Sequence, residues 1–578
     1  MHGGAVSAAR SAVLLFALVA AGCGTFLDGP PVNRCETDGD CRAGTCDLER
    51  TMCVSEPRAS MRVGVEVLPT SDPYGGRPLA VSFAPFEVTG SREPIALEVP
   101  LGVSVRGTVR DSAGVPVSAS LTFALPSDIP GVAGTRIETQ TLAEPSHEGS
   151  ELFDFAVQLL PGRIYDVTIQ PNGEWRSKLP PLRRRLASPE AGRRIHQPFV
   201  WEELQRVEGL LVDAEGEPQS ELLVRAIDAS SGRIVSSTYT TGSDPTRGPG
   251  SFEIFCDPAT EWLFSINASA ARIAEGNPSP TFTVAPSVLI AGVDGVVTIQ
   301  VPTAATASQI VTYGGFVEVA GSGRGTAAAL TFIARDVLDE TTQVLGSFRA
   351  MAATSDEPGH EGEFSVQLLR GTYDVVITPT SPELSVLRDP AVRIDPETTT
   401  DPGRPAEVLG QTFQVPARAR YGGWVQTFDA EPMVNAQVRA HARASTQNGR
   451  LADVAVYARS SEALTDPDGR FNVPLDIGLY DIVVEPPSGT SWPWAIERDV
   501  AIGGAGGTTA AGGDAIELTP PVPLAGRAFF PGDLPVAGAE IRAYGMVELE
   551  DGSTRSIPIG RTQTDADGQF TLLLPSTF

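Results

Sequence analysis

Six cysteines carry the most reactive side chains of this 578-residue chain, and their spacing divides them into three groups. Cys23 stands alone near the start and Cys256 stands alone further along, whereas the other four lie within 19 residues. These four are Cys35, Cys41, Cys46 and Cys53. A segment this short has no room for a hydrophobic core, so an even cluster of cysteines predicts two disulfides and a secreted protein. Their spacing leaves three connectivities open.

A zinc site is the weaker interpretation of the same cluster. Its gaps contain no Cys-x-x-Cys pair, and no histidine lies nearby. The cluster is therefore expected to form a small stapled spacer without metal. Cys256 follows an apolar strand that begins at Phe252, and it is predicted to be a buried free thiol without a catalytic partner.

The first residues have the pattern of an export signal. Arg10 precedes a short apolar run, and small residues at positions 20 to 22 lead directly to Cys23. This arrangement resembles a bacterial lipoprotein signal, which implies lipidation of the Cys23 thiol and a membrane contact through that lipid. Ala20 stands where that family usually has leucine, so an ordinary secretory signal is the alternative. Gly24 follows the cysteine, which favours the outer membrane, on its periplasmic face or at the cell surface.

A pair of tryptophans is the remaining candidate for ligand contact. Trp492 and Trp494 flank Pro493, and either ring could stack on a sugar or a peptide. The alternative is that both rings pack beneath a loop. Arginines cluster at 183 to 185, where they could meet an anionic surface or simply be solvated.

Aspartates and histidines offer weaker candidates. Asp466 and Asp468 precede Gly469 in a pattern that matches only the start of a calcium loop, so a hairpin turn is predicted there. His147 and His360 share the context His-Glu-Gly and are expected to be turn residues. No catalytic residue, metal or cofactor is predicted.

Composition excludes one large class of partner. The net charge is −28, whereas nucleic-acid binding requires a basic surface. Glycine and proline are frequent, with 59 and 48 residues, as expected for many short strands joined by turns.

A long-period repeat organises most of the chain. A glycine opens an alternating apolar run and, 43 to 49 residues later, a phenylalanine opens another. The glycines are Gly107, Gly209, Gly315, Gly423 and Gly526, and their partners are Phe153, Phe252, Phe364, Phe471 and Phe570. Successive glycines lie 102, 106, 108 and 103 residues apart, the size of one β-sandwich each. The chain is therefore expected to be an all-β rod of independent copies with these phenylalanines in their cores.

The repeated motifs are an opening Gly-x-Val, an Asp-x-Asp-Gly-x-Phe turn and a Gly-x-Tyr-Asp-Val strand. They resemble the carboxypeptidase regulatory-like domain, a transthyretin-like sandwich that serves as a stalk or binding module without catalytic residues. The cysteine-rich segment is similar to motifs beneath the lipid anchor of myxobacterial surface lipoproteins.

Eight segments are predicted along the chain. They are a signal peptide (1–22), a lipid-anchor linker with the cysteine cluster (23–58), an N-terminal half-unit (59–102), four sandwich copies (103–203, 204–305, 306–415 and 416–520) and a short fifth copy (521–578). The fifth copy lacks its closing strand, whereas residues 62–69 resemble one. A frame that starts each domain at the closing strand is favoured, because half-built units at both ends would expose sheet edges.

The function expected from the sequence is non-enzymatic: a lipid-anchored stalk or adhesion scaffold in the cell envelope. The alternative is an accessory protein that binds carbohydrate or peptide through the loops of one sandwich. A hydrolase without a recognisable motif is the third and weakest candidate. Envelope protein or polysaccharide is the expected partner.

Overall fold

The computed structural model describes most of the chain after the signal. The described residues are 30–57, 60–89, 94–149, 151–177, 179–202, 205–213, 215–228, 234–242, 248–256, 262–269, 272–273, 281–284, 297–301, 310–338, 344–394, 406–443, 459, 461–502, 515–549 and 552–578. Within these ranges no helix has the length and hydropathy needed to cross a membrane.

Short strands begin the described chain. The cysteine-rich segment has a 3-10 turn at Asp38–Asp40 and two strands, β1 (Thr45–Asp47) and β2 (Met52–Val54). The N-terminal half-unit has three strands, β3 (Met61–Leu68), β4 (Val81–Val88) and β5 (Ile95–Glu98).

Copies one and two follow, with a second 3-10 turn at Gly173–Ser177. Copy one contains β6 (Val103–Gly107), β7 (Val109–Arg110), β8 (Ala119–Leu125), β9 (Thr135–Gln140), β10 (Ser146–Glu148), β11 (Glu151–Phe153), β12 (Phe155–Leu159), β13 (Ile164–Pro171), β14 (Leu182–Ala187), β15 (Ile195–His196) and β16 (Phe199–Val200). Copy two contains β17 (Gln205–Val212), β18 (Leu222–Asp228), β19 (Ile234–Tyr239), β20 (Ser251–Cys256), β21 (Trp262–Ala268), β22 (Phe282–Val284) and β23 (Val297–Gln300).

The remaining strands complete the array. Copy three contains β24 (Ile310–Val319), β25 (Arg324–Gly325), β26 (Ala328–Leu338), β27 (Val344–Ala353), β28 (Glu363–Leu369), β29 (Gly371–Pro379), β30 (Leu387–Ile394) and β31 (Ala406–Val415). Copy four contains β32 (Ala419–Thr427), β33 (Gln437–Ala442), β34 (Ser461–Leu464), β35 (Arg470–Leu475), β36 (Gly478–Glu485), β37 (Ala495–Ile502) and β38 (Ala515–Leu518). The last copy contains β39 (Val522–Phe530), β40 (Leu534–Pro535), β41 (Glu540–Glu548), β42 (Thr554–Gln563) and β43 (Gln569–Leu574).

Each copy folds as two sheets of recurring topology. In copy four one sheet has the order β35-β32-β38 and the other has the order β34-β33-β36-β37. The strand with the opening glycine, β32, pairs antiparallel with the phenylalanine strand β35 and parallel with the last strand β38. Apolar side chains alternate along these strands and meet between the sheets. The predicted all-β architecture of tandem sandwiches after a disulfide-rich segment is confirmed.

The spacing between glycine and phenylalanine is a cross-strand pair. Gly209 lies opposite Phe252, and the same register places Gly315 opposite Phe364 and Gly526 opposite Phe570. All five predicted phenylalanines are buried, from 2% to 9% exposed, as expected. In copy one, however, the partner of the opening glycine is Phe155, which is fully buried.

Phe153 is buried at the edge of copy one instead. It lies on β11, two residues before the core strand, and Arg106 stacks 4.9 Å over its ring. The extra hairpin β10–β11 in this copy displaces the pattern by two residues, so each residue still faces the same side of the chain.

Buried tyrosines fix the turn before each closing strand. Tyr373 is fully buried, and its hydroxyl donates to the carbonyl of Leu369 at 2.6 Å and accepts from the Leu369 N–H at 3.1 Å. The hydroxyl of Tyr480 likewise donates to the Asp476 carbonyl at 2.9 Å. The Gly-x-Tyr-Asp pattern therefore encodes a tied turn.

The two ends of the chain form one sandwich together. Strand β3 pairs antiparallel with β41 over six residue pairs, and β5 pairs parallel with β39 over four. We call these two pairings the seam, and the sandwich made from residues 61–99 and 522–578 the closing unit. Here β3 holds the place that β36 holds in copy four, beside the second strand of its copy.

The closing unit corrects two expectations. The favoured frame, in which a domain begins with its closing strand, is wrong, because β36 pairs with β33 and β37 of its own copy. A linear rod is also wrong, because the N-terminal half-unit completes the C-terminal copy within one chain. The exposed edges that argued against half-built units are instead used to satisfy each other.

Contacts between neighbouring copies accompany the closure. One core runs through copy one and the closing unit, including Val65, Phe155 and Ile541. Copies two and three meet through a bridge between Thr281 and Ser347. The backbone path thus forms a closed ring of five sandwiches, in the order closing unit, one, two, three, four.

Candidate functional site

The cysteine cluster forms two local disulfides. Cys35 is bonded to Cys46 and Cys41 to Cys53, with Cα separations of 5.8 and 5.6 Å. The sequence left three connectivities open, and this is the one in which the two loops interlock. The zinc alternative is not compatible with sulfurs that are bonded to each other.

The disulfide segment is packed against the ring. The Asn33 N–H donates to the Thr490 carbonyl at 2.9 Å, and the Ser55 N–H donates to the Pro521 carbonyl at 2.9 Å. Arg42 pairs with Asp429 at 3.0 Å on the same copy. The segment is therefore attached to copy four and to the entry of the closing unit, where the sequence predicted a separate spacer.

The two solitary cysteines differ in what can be described. Cys23 lies outside the described residues, so its lipidation stays a prediction. Cys256 is fully buried in the core of copy two, and burial raises the pKa of its thiol to about 12. It is a protonated core residue at neutral pH.

The aspartate motifs form hairpin turns. Asp466 accepts the N–H groups of Asp468 and Arg470 at 2.9 and 2.8 Å, and Gly469 has a φ of 74°. Asp565 accepts the corresponding N–H groups in the closing unit at 2.9 and 2.8 Å. These carboxylates satisfy backbone donors, which is the turn interpretation.

The predicted histidines and arginines lie apart. His147 is on β10 of copy one, whereas His360 precedes β28 of copy three and contacts Glu363 at 2.6 Å. Arg183 and Arg185 are exposed on β14, the edge strand of its sheet, beside Asp166 on the neighbouring β13. Charged side chains on an edge strand discourage pairing with other chains.

The two tryptophans have different surroundings. Trp492 is 9% exposed, packs in the core of copy four and donates its indole N–H to the Pro31 carbonyl at 3.1 Å. Trp494 is half-buried and lines a groove of about 670 Å³ between copy four and the closing unit. The prediction of a stacking pair is therefore wrong for Trp492, whose ring is covered, and stays a prediction for Trp494.

Comparisons with known proteins leave the family open. No family model matches the chain, and no curated protein matches it. The chain is similar to solved structures that include the Bacillus anthracis TIE protein, at 12% identity over 75% of each chain with a TM-score of 0.16. A streptococcal ancillary pilin is 12% identical over 55% of this chain and 99% of its own, with a TM-score of 0.21. BcpA, the major pilin subunit of Bacillus cereus, is 11% identical over 55% and 99%, with a TM-score of 0.13.

The junction between copies three and four contains a buried carboxylate. Asp476 accepts from Arg459 Nη2 at 2.9 Å and from the Val386 N–H at 3.1 Å, and Arg418 lies at 3.3 Å. Burial raises its pKa, but the hydrogen bonds from Arg459 and the charge of Arg418 hold that pKa below its ordinary value. The ionised carboxylate therefore ties two copies together.

Ion pairs also join copy four to the closing unit. Arg555 on β42 contacts Asp481, which is 7% exposed, and Arg561 donates to Glu485 at 2.8 Å. These partners lie about 75 residues apart in different copies, so no local spacing announces them. Sequence reasoning missed these pairs and the groove beside them for that reason.

Proposed function

We propose that this protein is a non-enzymatic structural scaffold of the cell envelope, held to a membrane by lipid on Cys23. The observation that carries this proposal is the seam, which joins residues separated by more than 450 positions into one sandwich. A chain closed in this way resists unravelling from its ends, because neither end is free. Such resistance suits a protein exposed to proteases and mechanical load.

The anchor and the ring would be close together. Pro31 and Asn33 contact the loop of copy four that contains Trp492, so only seven residues separate Cys23 from the first described position. Seven extended residues span at most about 25 Å. A lipid on Cys23 would therefore hold the ring at the membrane surface, with the disulfides stiffening the attachment in an oxidising compartment.

One experiment separates a scaffold from an enzyme. In the source bacterium, the chain is replaced by a Val65→Asp variant, which puts a charge into the seam where Val65 is fully buried. Detergent sensitivity of the envelope should match that of a deletion strain. The matched control Arg62→Gln changes an exposed residue of the same strand and should behave as wild type.

The lipid anchor has its own test. Metabolic labelling with an alkyne fatty acid should mark the wild-type protein, and a Cys23→Ser chain should take up no label and be released from the membrane fraction. Equal labelling of the two chains, or none of either, would refute anchoring through Cys23.

A further inference from the structure

The groove beside Trp494 has walls from two parts of the ring. One wall is the loop from Glu485 to Trp494 in copy four, and the other is the end of β42 in the closing unit, from Gly560 to Gln563. Its volume of about 670 Å³ lies within the range of about 300–1,000 Å³ that is typical of small-molecule sites. The groove exists only because the closing unit lies against copy four.

Trp494 is the aromatic surface of this groove. Trp492 next to it is covered and bonded to Pro31, but Trp494 is only half-buried. Its indole N–H has no hydrogen-bond partner within the described part of the chain. A half-exposed ring with a free donor at its edge is suited to stacking on a flat ligand while bonding a polar group beside it.

The charges of the lining are balanced. Glu485 is held by Arg561 at 2.8 Å and by Arg439 at 3.1 Å, and Glu540 accepts from Arg542 at 3.0 Å. Because each carboxylate has an arginine partner, the groove offers no excess charge to an ionic ligand. A neutral ligand with many hydroxyl groups matches this lining.

Uncharged polar side chains complete the surface. Thr562 and Gln563 on β42 and Ser488 on the opposite loop all line the groove. Their side chains make no hydrogen bond to any other described residue, so their donors and acceptors are available to a ligand. An amide and two hydroxyls can serve as donors and acceptors at once, as sugar hydroxyls require.

The edge strand argues against an extended peptide. β42 is the outer strand of its sheet and could in principle add a peptide strand. Pro558 interrupts it and lacks the N–H that an added strand would need. Arg561 lies on the same edge and is held across the groove by Glu485.

The loop is fixed in shape before any ligand arrives. Ser491 has a φ of 61°, a left-handed conformation that is strained for serine. Its carbonyl accepts from the Asn33 side chain at 3.2 Å, so the disulfide segment holds the loop in place. A preformed site loses less entropy on binding.

We propose that this groove binds a short neutral oligosaccharide, with Trp494 stacked on the apolar face of one sugar ring and with Gln563 and Thr562 bonded to hydroxyls. This site goes beyond the scaffold function and does not depend on it. The ligand class follows from one open aromatic ring, paired charges and free neutral polar groups. A ring anchored at the membrane would hold such a site against the envelope glycans.

The test uses the intact protein labelled with 5-fluorotryptophan, whose six tryptophans give six fluorine resonances. The Trp494→Phe variant assigns the resonance of Trp494. Cellohexaose, maltohexaose and chitohexaose are the neutral probes, polygalacturonate is the anionic probe, and a peptide of four Thr-Val repeats is the strand probe. At least one neutral hexasaccharide should shift the Trp494 resonance saturably.

Substitutions then locate the site. Trp494→Ala should weaken binding of that sugar at least about tenfold by calorimetry, and Gln563→Ala should weaken it by a smaller factor. The matched control is Trp424→Ala, because Trp424 is 39% exposed on copy four away from the groove, and it should bind as wild type. The proposal is overturned if no neutral sugar acts at about 10 mM, if Trp494→Ala binds normally, or if only the peptide or the anionic polymer binds.

Discussion

Gly209 and Phe252 lie directly opposite each other on neighbouring antiparallel strands, and the phenylalanine ring covers the glycine. A Cβ atom on Gly209 would lie 2.2 Å from the ring of Phe252. Gly526 and Phe570 repeat the relationship, with a corresponding distance of 2.4 Å. The repeat visible in the sequence is therefore a packing rule, in which a missing side chain on one strand makes room for a ring on the next.

This relationship predicts that Gly209→Ala destabilises copy two by about 1–3 kcal/mol, because the added methyl group must displace the ring. Gly242→Ala is the control, since no atom lies within 4 Å of its Cβ position. Urea unfolding of the intact chain measures both. A Phe252→Leu change should recover part of the loss in the double variant, and additive effects would contradict direct contact.

The carboxylate of Asp476 predicts a pH-dependent junction. Its pKa in the folded chain is lowered, so its stabilisation is complete above the ordinary value of about 3.9 and is lost as the pH falls through the lower folded value. Asp476→Asn should cost about 3 kcal/mol at pH 7, because two arginines lose their partner.

Thermal melts of wild type and Asp476→Asn should converge as the pH drops below about 4. The control Asp533→Asn breaks an exposed pair with Arg527 and should change stability by less than about 0.5 kcal/mol. A constant difference between wild type and Asp476→Asn from pH 7 to pH 3 would exclude the ion pair as the cause.

The cysteines predict a thiol count. Unreduced native protein should not react with Ellman's reagent, because four cysteines are bonded and Cys256 is buried with a raised thiol pKa. After denaturation one thiol should react if Cys23 is acylated, and two if it is not. Cys256→Ser should then lower either count by one. Three or more thiols in the denatured wild type would contradict the disulfides.

The sequence predicted the copies better than their assembly. Alternating strands, tied turns and glycine-phenylalanine spacing are local patterns, so they identified the sandwiches and their core residues. The pattern slipped only in copy one, where the hairpin before Phe155 repeats an apolar residue two positions earlier. Two positions along a strand return to the same face, so composition alone could not choose between Phe153 and Phe155.

The seam was visible as a similarity but not as a pairing. Residues 62–69 match a closing strand, yet a strand with this pattern fits beside the next copy as well as beside the last. The choice depends on which neighbour satisfies both edges, and β36 already occupies the place in copy four. The groove beside Trp494 was hidden for the same reason, because its second wall, including Gln563, comes from the closing unit.

The most direct test of the closed ring is a crosslink across the seam. Glu66 and Arg542 are opposite partners on β3 and β41. Such partners have Cα atoms about 4.5–5.5 Å apart, a separation that a disulfide can bridge.

The double variant Glu66→Cys with Arg542→Cys should therefore form an intramolecular disulfide in air. Peptide mapping should recover the linked strands from monomer. A Glu66→Cys, Asp533→Cys control should stay unlinked, because Asp533 lies in the turn before β40 in the other sheet. A double variant that stays reduced, or that links only into dimers and longer ladders, would contradict the closed ring.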